Sequence, residues 1–382
     1  MLFIEICYIV RRVAMSLFDV FRMLGGLAFF IFGMGVMSQG LEECAGGKLE
    51  KAIRIMTESR LKGVLLGTAV TAAVQSSSAI TVMLVGFVNS GIMQLNQCTG
   101  IIIGSNIGTT LTPWLLSFSS AQGSSFIFDL LSPASLAPLA ALAGVVLLNV
   151  IKNEKIRNFG NALAGFAILI YGMELMSGAA APLAKSERFA NAVDLLSNPL
   201  LGLVAGTVIT GIVQSSAATI GILQAISASG AIPYSTAIPI IMGQNIGTCV
   251  TAMLSGIGTD KNAKKVALIH TNFNIIGSLL FLAVYLILDL VFKFGFSSMN
   301  VTPAGIAAFH TVFNILSAIV LYPFSTQMEK LADIMIKEKH TPLKARAERK
   351  DKKYEKNSHG DRGSYSRSHD VNRLHQKRNN ST

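Results

Sequence analysis

The 382-residue sequence predicts an all-α polytopic membrane protein made of two inverted repeats, each with a re-entrant helical hairpin and a broken transmembrane helix. Three features lead there: long stretches without a charge, a set of polar motifs that recurs at one offset, and the interruption of apolar segments by those motifs. Hydrophobic residues are 51 % of the chain and charged residues 14 %, against roughly 25 % charged in a soluble domain. Gly63–Phe128 and Leu195–Thr259, 66 and 65 residues long, contain no Asp, Glu, Lys, Arg or His. Soluble domains do not keep such stretches uncharged, whereas membrane-embedded segments do.

Apolar runs of about 20 residues, the length of one crossing, place spans at 18–38, 97–117, 132–151, 160–178, 236–256, 264–290 and 302–323. Met1–Val10 is too short to cross and precedes Arg11 and Arg12, as a weak signal-like start or an extension upstream of a start at Met15 would. The net charge of +11 is concentrated at the other end. From Lys337 onward there are 14 Lys/Arg and 6 Asp/Glu, a net of +8, leaving +3 for residues 1–336. That excludes a nucleic-acid-binding membrane part and marks 340–382 as a basic, disordered tail beside the last helix, placed in the cytoplasm near anionic lipid. The cysteines Cys7, Cys44, Cys98 and Cys249 are scattered and form neither a disulfide framework nor a zinc site.

An internal repeat runs at an offset of 139 residues. Phe32-Gly-Met-Gly-Val-Met-Ser38 matches Tyr171-Gly-Met-Glu-Leu-Met-Ser177, and Val74-Gln75-Ser76-Ser77 matches Val213-Gln214-Ser215-Ser216. Gly104-x-Asn106-Ile107-Gly108-Thr109 matches Gly243-x-Asn245-Ile246-Gly247-Thr248, and Thr112 matches Thr251. Shared hydrophobicity aligns Leu and Ile, but it does not align Gln, Asn, Ser, Thr and Gly at one offset. The chain therefore divides into an N-terminal segment 1–17, repeat 1 at 18–151, repeat 2 at 160–290, an additional helix at 302–325 and the tail.

Leu61–Asn89 and Leu200–Ser229 are apolar segments broken in the middle by Gln75-Ser76-Ser77-Ser78 and Gln214-Ser215-Ser216. As single crossings they make the repeats parallel; as re-entrant hairpins they make them inverted. With hairpins and a cytoplasmic tail, the inside loops 39–62, 152–159 and 257–265 carry five, three and three Lys/Arg. The outside loops 118–131, 179–199 and 291–301 carry none, two and one. The positive-inside bias favours the hairpins, with Arg11, Arg12 and Arg22 as exceptions.

A helix end inside the membrane leaves backbone groups that must be buried in protein or line a cavity. Free carbonyls and side-chain oxygens there suit a hard cation, and free N–H groups with hydroxyl donors suit an anion. This nominates Gln75, Ser76, Ser77, Ser78, Asn106, Thr109, Gln214, Ser215, Ser216, Asn245 and Thr248 for an anion, and Gln75, Ser77, Thr110, Gln214, Ser216 and Thr248 for a cation. The same glycines also form small-xxx-small pairs that pack membrane helices. His270-Thr-Asn-Phe-Asn274 and His310-Thr-Val-Phe-Asn314 put polar groups on one helix face at i and i+4, and Glu174 stands where repeat 1 has Gly35. These five polar residues, His270, Asn274, His310, Asn314 and Glu174, are supporting candidates. A serine nucleophile would need a base within reach, and neither uncharged stretch supplies one, so no catalytic residue and no enzymatic activity is expected.

The doubled Val-Gln-Ser-Ser, the doubled Gly-x-Asn-Ile-Gly-Thr and the doubled His-x-x-Phe-Asn resemble the type II sodium–phosphate cotransporter family and its bacterial relatives, over about residues 18–325. The resemblance implies inverted repeats with the Gln-Ser-Ser at hairpin tips, and phosphate symport driven by Na⁺, with both bound near those tips. It implies a plasma-membrane location with membrane lipid, phosphate and Na⁺ as partners, no nucleic acid, and no cofactor besides the coupling ion. Ala217 replaces one hydroxyl of the fuller motif, and 340–382 is too short and polar for the phosphate-uptake-regulator-like domain of many bacterial relatives. Export of phosphate, transport of another oxyanion, and a membrane scaffold or sensor without transport remain alternatives, and the oligomeric state is open.

Overall fold

A computed structural model of the chain describes residues 2–45, 59–119, 133–183 and 186–336. The tail expected at 340–382 lies outside the described residues. Among these residues fourteen α-helices follow one another: α1 (Leu2–Ala45), α2 (Arg60–Val74), α3 (Ser77–Asn89), α4 (Leu95–Gly108), α5 (Leu111–Ser119), α6 (Pro133–Val150) and α7 (Glu154–Leu183). They continue with α8 (Glu187–Leu196), α9 (Pro199–Val213), α10 (Ser216–Ser227), α11 (Tyr234–Ser255), α12 (Lys261–Phe292), α13 (Pro303–Leu321) and α14 (Ser325–Met335). Among the described residues β pairing amounts to one isolated bridge, Pro233 to Asn300. Among the described residues six helical stretches, counting α4 with α5 and α13 with α14, are long and apolar enough to cross a membrane, so the protein is a multi-pass membrane protein.

Small residues set the helix packing. The long α1 and α7 lie side by side and run in opposite directions: Gly26 faces Gly172 and Met176, Gly33 faces Gly165 and Leu169, and Gly40 faces Asn158 and Ala162. A Cβ on Gly172 would stand 2.5 Å from Phe30 N, so any side chain would force the helices apart. The offset of 139 carries Gly26 onto Gly165 and Gly33 onto Gly172. The register thus pairs each glycine with the counterpart of the other.

In contrast, α4 runs alongside α2 in the same direction, with Gly100 on Arg60, Gly104 on Val64 and Gly108 on Thr68. The second half repeats this between α11 and α9, with Gly243 on Leu203 and Gly247 on Thr207. Cβ atoms on Gly108 and Gly247 would come within 2.5 and 2.6 Å of the Thr68 and Thr207 carbonyl oxygens. The start of α4 is therefore level with the start of α2, although only the five residues 90–94 separate it from the end of α3.

One expectation needs correction. Both Gly-x-Asn-Ile-Gly-Thr motifs were expected to break a helix, but α11 passes unbroken through Gly243–Thr248. The first copy is interrupted for two residues, Thr109-Thr110, between α4 and α5, which together still form one apolar span, Leu95–Phe118. The glycines serve close packing in both copies, and the difference comes from Pro113, which has no N–H for the carbonyl four residues earlier. Its counterpart is Ala252, which has one.

Gly33→Leu is expected to cost at least about 1–3 kcal/mol by driving a side chain into the α7 backbone. Gly25→Leu, where no atom lies within 4 Å of the added Cβ, should leave stability nearly unchanged. Thermal midpoints of the two variants in detergent check this, and equal midpoints would refute the packing register.

Candidate functional site

Each Gln-Ser-Ser motif sits where two short helices meet. Gln75 ends α2 with φ 60°, ψ 23°, and Gln214 ends α9 with φ 56°, ψ 22°, a left-handed conformation uncommon for a residue with a side chain. Each donates its backbone N–H across 2.7 Å, to Thr71 O and Thr210 O. The next residue then turns extended and caps the following helix: Ser76 Oγ accepts from Ala79 N, and Ser215 Oγ from Ala218 N, both at 3.2 Å. The tips match in backbone, in cap and in the two hydrogen bonds that close and open the helices.

The fold brings both tips to one cavity of about 260 Å³. Its walls include Gln75, Ser76, Ser77, Ser78 and Thr109 from the first half and Gln214, Ser215 and Ser216 from the second. α1 closes it with Met34, Gly35 and Ser38. Ser38 Oγ donates to Val74 O at 2.8 Å, and Phe30 lies against Gly221 of α10, so one helix touches both tips. Among the described residues that line it, none carries a charge. What the walls offer is the positive N-terminal ends of α3 and α10, six hydroxyls of serine and threonine at the tips and Thr109, and the carbonyl ends of α2 and α9. The volume suits small ions, since drug-sized ligands take about 300–1,000 Å³.

Other predicted residues lie elsewhere. Asn106 and Thr110 are buried and bond within their own helix turns, to Ile102 O and Ile107 O. Thr248 donates to Gln244 O. Asn245 joins a buried network, giving its Nδ2–H to Asn314 Oδ1 at 2.8 Å while His310 Nε2 lies 3.2 Å from its Oδ1. Asn314 and Asn274 each donate back to the carbonyl of the histidine four residues earlier. His270 is buried with neither ring nitrogen bonded to a described residue. Glu174 faces a separate cavity of about 550 Å³, together with Ser177, Ser227, Asn300 and Thr302.

Two residues outside the predicted set matter at the tips. Thr112 Oγ1 donates to Gln75 Oε1 at 2.9 Å, while Gln75 Nε2 donates to Ala72 O, and Gln75 is buried. The counterpart Thr251 has a buried hydroxyl with no partner among the described residues, and Gln214 is exposed to the cavity. The signal was present in the repeat, where Thr112 and Thr251 align.

The family model described as Na⁺/Pi-cotransporter matches the chain twice, over residues 29–178 and 168–302. The chain belongs to this family. It is 28 % identical over 313 residues to YqeW of Bacillus subtilis (strain 168), covering 81 % of the chain and 96 % of that protein. It is 24 % identical over 323 residues to the Escherichia coli (strain K12) protein named "Putative inorganic phosphate export protein YjbB", covering 83 % of the chain but only 56 % of that protein. A shorter match, 34 % identical over 114 residues, reaches "Sodium-dependent phosphate transport protein 2A" of Oryctolagus cuniculus, with 29 % of the chain and 18 % of that protein covered. No solved structure matches the chain.

Thr112→Val is expected to lower stability by about 1 kcal/mol, because it leaves the buried Gln75 amide oxygen without its donor. Thr251→Val removes an unpaired hydroxyl and should be neutral or stabilising. Thermal midpoints in detergent distinguish the pair, and an equal loss in both would contradict the asymmetry between the tips.

Proposed function

We propose that this protein is a sodium-coupled inorganic phosphate symporter working by alternating access. The observation that carries the reading is the convergence of two helix N-termini and two Gln-Ser-Ser tips on a cavity without a charged side chain. Phosphate fits the N-terminal ends of α3 and α10, where free N–H groups and the hydroxyls of Ser76, Ser77, Ser78, Ser215 and Ser216 donate, joined by Thr109 and the two glutamine amides. Na⁺ fits the oxygen-rich side, with Gln75, Ser77, Gln214, Ser216 and the carbonyls that close α2 and α9. Thr110, Thr248, Asn106 and Asn245 line the helices behind and enter coordination through movement of α4 and α11. The unpaired Thr251 hydroxyl is a further oxygen for a cation at the second tip.

With no Lys or Arg among the described residues that line the site, phosphate enters with its charge offset by co-bound Na⁺. The affinities of ion and substrate are then reciprocally coupled. The level starts of α2 and α4 support a re-entrant reading of the helix pairs, and the antiparallel pairing of equivalent glycines in α1 and α7 supports inversion of the repeats. Alternating access follows as the exchange of the two halves around the cavity. No cofactor beyond Na⁺ enters this scheme. The protein acts in the plasma membrane, with its basic tail on the cytoplasmic side beside anionic lipid. Export is the second reading, favoured by the match over 83 % of the chain to a protein named for phosphate export.

Ser76→Leu and Ser215→Leu are each expected to abolish Na⁺-dependent uptake of radiolabelled phosphate in proteoliposomes, a loss of at least about 100-fold for an ion site filled by a side chain. Undiminished uptake in both variants would sink the site. Imposing Na⁺ and phosphate gradients in each direction, with sulfate and arsenate as competitors, separates import from export and phosphate from other oxyanions.

A further inference from the structure

α14 is a short helix after the last long span, and it fastens the base of the first helix pair. Arg60, the first residue of α2, donates from Nη1 to Ser325 Oγ at 3.1 Å and Thr326 Oγ1 at 2.8 Å. Its Nη2 lies 3.3 Å from both carboxylate oxygens of Glu329. Thr99, in the first turns of α4, donates to the same carboxylate at 2.8 Å. One glutamate thus holds two helices of the first half. On its other side α14 is held to α12 by Lys265 and Asp333, 2.7 Å apart. The far end of the first pair is tied as well, since Asn89 Oδ1 accepts from Asp260 N at 2.8 Å.

The repeat has no copy of this fastening. At the offset of 139, Arg60, Thr99 and Asn89 become Pro199, Ile238 and Ala228, whose side chains can form none of these bonds. An ionic tie in only one half of a duplicated unit distinguishes the two halves, and the half it restrains carries the first tip. The Glu329 side chain is 14 % exposed and that of Arg60 34 %, so the pair is shielded enough to hold and near enough to water to open.

We propose that Arg60 and Glu329 form a lock that holds the base of α2 and α4 against α14 in the state described and opens during transport. The pair acts through the position of the first tip and touches no substrate, so both are positioning residues that set the rate of the cycle rather than affinity. The cycle part rests on the transport reading above; the lock itself does not. Cys98, fully buried beside Thr99, reports opening of the seam.

The test uses the full chain in proteoliposomes, with Cys7, Cys44 and Cys249 replaced by alanine so that Cys98 is the remaining thiol. Breaking a charge-assisted contact in Glu329→Gln is expected to raise the rate of maleimide labelling of Cys98 about tenfold. The milder Thr99→Val should raise it less, and the exchange Arg60→Glu with Glu329→Arg should bring it back toward the parent rate. In phosphate uptake, Glu329→Gln should change the maximal rate while KM stays within about twofold. Unchanged labelling in Glu329→Gln, or no recovery in the exchanged pair, overturns the lock. Faster labelling with an unchanged maximal rate overturns its part in the cycle. Labelling needs no substrate, so it decides the lock whatever the cargo is.

Discussion

A helix that stops inside a protein leaves carbonyls at one end and N–H groups at the other, and apolar surroundings can satisfy neither. Everything at the cavity answers this constraint. Gln75 and Gln214 turn left-handed so that their N–H groups close α2 and α9, and Ser76 and Ser215 cap α3 and α10 one residue later. Ser38 takes one of the remaining carbonyls. The groups that stay open are those facing the cavity, and they are the ones that can hold ions. The interruption of the helices and the open donors and acceptors at the cavity are thus one feature.

Such ends can be buried only if the neighbouring helices come very close, which explains the glycine register. Gly104 and Gly108 let α4 lie directly on α2, and Gly243 and Gly247 do the same for α11 on α9. α1 reaches both tips because Gly26 and Gly33 seat it on α7 and Gly221 admits the Phe30 ring. The apolar cluster of Phe30, Met34, Met173, Met176 and Ala218 then fills the space beside the cavity. Packing sets the distance between the tips, and that distance sets what fits between them.

The two halves are alike in backbone and different in detail. Gln75 is held by Thr112, whereas Gln214 is free in the cavity and Thr251 is left unpaired. Pro113 follows a two-residue interruption in one span, whereas the counterpart helix with Ala252 runs unbroken. His310 and Asn314 clamp Asn245, while Asn106 bonds only within its own turn. A duplicated unit cannot occupy two identical environments within one chain that also carries an extra helix and α14, so identical motifs settle into different states.

The sequence alone determined that the chain crosses a membrane, that it is duplicated, and that Gln75-Ser76-Ser77-Ser78 and Gln214-Ser215-Ser216 are its exceptional features. Composition, periodicity and repetition are properties of the chain itself, and uncharged stretches with recurring polar runs admit few other readings. Only the tertiary structure decided which polar residues meet. The doubled Asn and His motifs read as strongly as the serines, yet Asn245 and His310 turn into a helix–helix contact and Asn106 bonds back within its own helix, all away from the cavity. A helix face does not say which neighbour it will meet, so position i and i+4 could not separate a ligand from a clamp. The roles of Thr112, Ser38 and Glu329 were hidden for the same reason, because each acts on a residue tens to hundreds of positions away.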